Sequence, residues 1–163
     1  MGNYSWRDWM GLAARLVLGI ALLWAGLSKV TRLAANVSQV KLFGLPIPDW
    51  LATVVGYLQP PIEVIFGLLL ILGLFTRVSA AAATLAMIIF IFGIIWAWSH
   101  GLQIDCGCFS PGGELEPGEQ NKYLQDIIRD AVLMAGGVWL VIRPSSVLSL
   151  DGLLFPPLNI DEG

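Results

Sequence analysis

The chain has 163 residues, of which 56% are hydrophobic and 13% charged, with a formal net charge of -3. A soluble domain carries about 25% charged residues, so this chain lacks the polar groups to cover a globular surface in water, and its natural solvent is a lipid bilayer. The acidic balance and the lack of a basic run exclude nucleic acid as a partner and give no polybasic patch for anionic lipid heads.

A spanning helix needs about 20 mostly apolar residues. Four segments supply them, over about 10–30, 54–75, 79–99 and 123–142. The first apolar run is too long for a signal-peptide core and is not followed by a small-residue cleavage site, so it reads as a retained span. Trp6, Trp9, Trp50, Trp96 and Trp98 gather at the predicted ends, where amphipathic rings settle at headgroup level.

Between spans one and two, Val30, Leu33, Val37 and Val40 recur at helical spacing, with Arg32, Asn36 and Gln39 opposite. That pattern predicts a short helix lying in the interface. A tight "TRVS" turn, residues 76–79, predicts that spans two and three are antiparallel neighbours. Small residues at Ala80–Ala83 and Gly136–Gly137 permit close helix packing in lipid. A single membrane domain over 1–143 is followed by a tail, 144–163, expected to lie on the surface or on a partner.

Five ionisable groups fall in or beside the spans of the half nearest residues 100–122: Lys29, Glu63, Asp126, Arg129 and Asp130. A charge at the bilayer centre costs at least ~2.5–3.5 kcal/mol, so such groups should face inward and pair. At ~1.5 Å per residue, Glu63 lies roughly 18 Å from one end of its helix and Arg129 roughly 9 Å below the opposite face. These are nearly equal depths in a core of ~30 Å. The cluster reads equally as an ion-pair network fixing helix register or as a proton or substrate path. Arg15, in the other half, reads as a snorkelling or packing residue, and Glu63 after Pro60-Pro61 raises the weaker idea of a broken transport helix.

The stretch "HGLQIDCGCFSPGG" holds both cysteines and the only histidine. Cys106 and Cys108 can close only a very small ring, for which Gly107 supplies backbone freedom. A strained bridge is easily reduced, and one that closes so short a loop staples almost nothing. Cys106, Cys108 and His100, with Asp105, could also offer metal ligands, although the spacing matches no zinc pattern. Buried inert thiols would need an apolar setting, whereas this loop is polar and turn-rich. A redox pair fits the placement best, with His100 or Asp105 as modulators of a thiolate. Positive-inside counting ties, with Arg7, Arg15, Arg77 and Arg143 against Lys29, Arg32, Lys41 and Lys122. Disulfide chemistry favours the oxidising side, which puts the cysteine loop outside and both termini in the cytoplasm.

The stretches "RLVLGIALLWAGLSKV", "FGLPIP" and "PPIEVIFGLLLILGLFTR" resemble the DoxX family of small four-span membrane proteins. "DCGCFS" followed by "IIRDAVLM" is similar, more narrowly, to its MauE branch. The resemblance covers about residues 11–142. It implies an all-α integral membrane protein of a bacterial plasma membrane, built as an antiparallel four-helix transmembrane bundle. It also implies a role in the thiol–disulfide chemistry of exported proteins, and carries over Cys106, Cys108, Glu63, Arg129 and Asp130 by position. Ser110 and the acidic "GELEPGEQNK" depart from the family pattern and leave the substrate open.

The expectation is a membrane thiol–disulfide redox protein exchanging electrons with an exported thioredoxin-like partner. The alternative is a non-catalytic subunit of a larger membrane complex such as a respiratory assembly. No bound cofactor is expected. A membrane quinone could be the final acceptor, although no quinone motif is readable.

Overall fold

The computed structural model describes residues 4–107, 113–118, 120, 122–144 and 146–154. Among the described residues, six helices and one small ladder follow in chain order. They are α1 (Trp6–Val30), α2 (Leu33–Leu42), α3 (Asp49–Leu72), α4 (Thr76–Ser99), β1 (Ile104–Asp105), β2 (Gly113–Glu114), α5 (Tyr123–Ile142) and α6 (Leu150–Leu154).

Three helices, α1, α3 and α4, are long and apolar enough to cross a membrane. The expected fourth, α5, has 20 residues. Asp126, Arg129 and Asp130 lie close together inside it and interrupt any spanning-length apolar stretch, whereas the charges of α1 leave such a stretch between them, so α5 does not join the three on length and composition.

Helix ends move relative to the sequence expectations for identifiable reasons. Ser5 and Asp8 form a capping box, so α1 starts at Trp6 instead of after the tryptophans. Gly73 closes α3 in the left-handed region, at φ 71°, a conformation that suits glycine. The turn therefore comes at Gly73–Phe75, and the residues expected to form it, Thr76–Ser79, are the first turn of α4. Pro60 and Pro61 lie inside a continuous α3, which removes the broken-helix basis for transport.

Helix α1 packs on α3 and α5, and α4 packs on α5 and α3. The α1–α3 contact is backbone to backbone. A Cβ on Gly67 would come within 2.7 Å of Leu23 N and 2.9 Å of Gly19 O. In lipid, where apolar area drives little association, such small-residue contact is what lets dispersion hold two helices together. The core there includes Leu18, Leu22, Leu70, Ala83 and Leu140. Outward faces stay apolar, with Ile20 on α1, Ile65 on α3, Phe92 on α4 and Val132 on α5 all exposed.

At the end remote from the cysteines, Arg15 is only 1% exposed. Its Nη1 donates to Ser146 Oγ at 2.7 Å and its Nη2 to the Leu148 carbonyl at 3.1 Å. Asp151 accepts from the backbone N–H groups of Phe75 and Thr76, at 2.7 and 2.8 Å. Arg15 is therefore a buried anchor instead of a snorkelling residue, and the start of the tail is fastened to the α3–α4 turn. Residues 155–163 lie outside the described residues.

Candidate functional site

The cysteine stretch leaves a two-residue antiparallel ladder that pairs Ile104 with Glu114 and Asp105 with Gly113. Gly107 takes φ 68°, a left-handed turn open to glycine at little cost. Cys108 lies outside the described residues. Cys106 is one half of a disulfide, and no described cysteine is free.

Cys106 is not solvent-near as the polar loop suggested. It is 9% exposed and packs in an apolar cluster with Ile94, Ala97, Ile104 and Tyr123. The ladder and the Tyr123 hydroxyl explain the difference. Tyr123, 2% exposed, donates to the Leu102 carbonyl and accepts from the Ile104 N–H at 3.2 Å. These bonds fold the loop down onto α4 and α5. Sequence reading took Tyr123 only as a helix start; a hydroxyl-bearing aromatic at a helix end was the available signal. Tyr123→Phe leaves the Ile104 N–H without its buried partner and should cost about 1–3 kcal/mol. Faster amide exchange at Ile104 and a lowered melting temperature in detergent would show it, while unchanged exchange at Ile104 would refute the role.

Two cavities meet at Cys106. The outer one, about 570 Å³, is partly polar and is lined by Asp105, Cys106, Lys122, Gln125 and Asp126 together with Trp98. The inner one, about 100 Å³, is mostly apolar, and its walls include Phe43, Phe90, Gly93, Gln39, Lys29 and Cys106. Cys106 thus stands in the wall between a polar cleft and a pocket among the helices.

Lys29 and Glu63, each 4% exposed, pair at 3.3 Å to both carboxylate oxygens. Gln59 Nε2 donates to Glu63 Oε1 at 2.9 Å, and the Lys29 ammonium sits 5.4 Å from the Phe90 ring centroid. Arg129 forms a second set, at 2.9 Å from both Asp126 and Asp130. Asp130 and Arg129 act on Lys29 electrostatically across the gap. The five groups foreseen from sequence therefore converge, but as two neighbouring networks with Asp130 deeply buried at 1% exposure.

Helix α2, expected to lie in the interface, buries polar side chains against the bundle. Asn36 and Gln39 are its buried residues. Asn36 Nδ2 donates to the Gly56 carbonyl at 2.8 Å, and Gln39 Nε2 donates to the Asp105 carbonyl. The charged Arg32 and Lys41 stay exposed. Neutral carboxamides can be buried once bonded to backbone, a distinction the polar-face pattern missed. Gln39 thereby holds the cysteine segment onto α2. His100 does not approach Cys106 in either cavity wall. It ends α4, with Nδ1 2.9 Å from the Trp96 carbonyl and its ring stacked on Trp96 at 4.2 Å. Asp105 accepts weakly from Gly107 N at 3.5 Å. Among the described residues no group of acidic, histidine or cysteine side chains could hold a metal ion.

No curated protein and no solved structure matches the chain. The family model of methylamine utilisation protein MauE matches residues 7–143, a stretch that runs through α1 to α5 and contains both cavities and both ion-pair networks. The chain is a membrane protein of the MauE family.

Proposed function

We propose that this protein is a membrane-embedded thiol–disulfide redox protein in which the Cys106–Cys108 pair exchanges electrons with an exported thioredoxin-like partner. The observation that carries the reading is the position of Cys106, shared by an open polar cleft and an apolar pocket. A merely structural bridge between residues so close in sequence stabilises little, and it has no need of a cleft. The outer cavity has the volume of a ligand site and offers Lys122, Asp126 and Gln125 to a docked peptide segment.

In this reading α5 is the fourth span. Its outward residues Leu124, Ile128, Val132 and Ile142 are exposed and apolar, while Asp130 points inward. The cysteine loop then faces the oxidising side of a bacterial plasma membrane, and both termini face the cytoplasm. The family's name supports a setting in methylamine utilisation for this reading. A second reading, an accessory subunit of a larger membrane assembly, draws on Leu148 and Leu153, both 77% exposed in the tail. Copurification with a complex whose activity survives loss of both cysteines would select it.

The test is labelling of intact cells with a membrane-impermeant maleimide, with and without mild reduction. Labelling that appears only after reduction is expected. Failure to label intact cells under either condition, with labelling of the same reduced protein once the cells are permeabilised, would place the loop in the cytoplasm instead of in an occluded site and refute the reading.

A further inference from the structure

A disulfide that oxidises an exported dithiol is itself reduced, and each turnover needs a two-electron acceptor. We infer that the inner cavity receives that acceptor, a membrane-soluble quinone, against the face of Cys106 opposite the outer cleft. The inference deepens the exchange reading above and rests on it.

Four observations carry it. The cavity reaches Cys106 from within the helices, and Val55 and Ile89, at its rim, are themselves exposed on the apolar outer surface. Those exposed apolar residues offer a lipid-dissolved ligand a way in. Its volume of about 100 Å³ is below the roughly 150 Å³ that takes a benzene, so it encloses only one edge of a quinone ring and leaves the rest in the opening at Val55 and Ile89. A flavin or nicotinamide nucleotide is far too large. The walls are aromatic and aliphatic at Phe43, Phe90 and Val40, surfaces that stack on a flat ring. Finally, polar groups of both kinds border it. Lys29 can donate to a quinone carbonyl, while Gln39 Oε1 is buried and has no hydrogen-bond partner among the described residues. An unpaired buried acceptor is costly, and a hydroquinone O–H would satisfy it.

The chemistry balances in two steps. A partner thiolate attacks the Cys106–Cys108 bond and forms a mixed disulfide. The partner's second thiolate then displaces the protein sulfur, leaving an oxidised partner and a Cys106/Cys108 dithiol. That dithiol passes two electrons and two protons to the quinone, which leaves as hydroquinone, and the disulfide re-forms.

The experiment uses the full chain in lipid nanodiscs. The oxidised protein is first given a synthetic two-cysteine peptide, and protein thiols are counted by alkylation and mass. The reduced protein is then given decylubiquinone, followed by ultraviolet absorbance and a second thiol count. One quinone reduced per disulfide re-formed is expected. A Cβ on Gly93 would meet Phe43 only at 3.6 Å, so Gly93→Leu has room at its base and fills the cavity beyond. It should slow quinone reduction about tenfold or more. Because that variant could disturb folding, a photoreactive azidoquinone is used on the unaltered protein, with adducts expected on α2 and α4 around Val40 and Phe90. Peptide exchange that proceeds while the dithiol persists in decylubiquinone, with no adducts on those segments, overturns the quinone site and leaves the exchange reading standing. Absence of exchange with the peptide overturns both.

Discussion

Replacing both Cys106 and Cys108 with serine should leave the fold intact and abolish thiol–disulfide exchange altogether. The small ring they close adds little stability, because few denatured conformations are lost by linking residues so near in sequence. The apolar cluster around Cys106 accepts a serine at the cost of one partly unsatisfied hydroxyl, about 1–3 kcal/mol. The measurement is differential alkylation of exported proteins, followed by mass spectrometry, in cells with the wild-type or the double-serine chain. Specific exported proteins should accumulate as dithiols. If their thiol states are indistinguishable between the two strains, the redox reading is wrong, and the tail-mediated subunit reading takes its place.

Lys29→Met should be the most destabilising single change in the helical core, at about 3–5 kcal/mol, because it leaves Glu63 as an uncompensated charge in a dry site. Gln59 would remain as the only hydrogen-bond donor to that carboxylate among the described residues. Lys29→Met combined with Glu63→Leu should recover much of the loss, since an apolar pair of similar volume is often neutral or better than a buried ion pair. The cycle is read by denaturant unfolding in micelles. A double variant no more stable than either single one would show that the two groups do not act as a unit. The same proteins separate a structural from a functional role for the pair. A stable double variant that still exchanges disulfides makes the pair a device for helix register. One that folds but does not turn over assigns the pair to the chemistry beside the inner cavity.

The membrane environment, three of the spans and the family were legible in the sequence because each rests on local information. Hydropathy over about 20 residues needs no tertiary context, and the cysteine stretch with "IIRDAVLM" carries the resemblance in consecutive letters. The convergence of Lys29 with Glu63 was legible too, since depth along a helix follows from counting residues. Ends at Trp6, Gly73 and Thr76 were missed where a cap overrode hydropathy: the capping box at Ser5 and the left-handed Gly73 act through backbone geometry that apolar windows do not register.

What the tertiary structure alone decided is which way polar residues point and what they are near. Periodicity gave α2 two faces but could not say which one met protein, because Asn36 and Gln39 are polar in composition yet are bonded to backbone carbonyls of α3 and the cysteine segment. The polar loop around Cys106 became an apolar setting for the same reason: Tyr123 and the β1–β2 ladder satisfy its backbone internally, so the segment can leave water. The two cavities and the fastening of Arg15 to Ser146 and Leu148 join residues far apart in the chain. Such long-range proximity depends on side-chain packing among all the helices at once, and no local pattern encodes it.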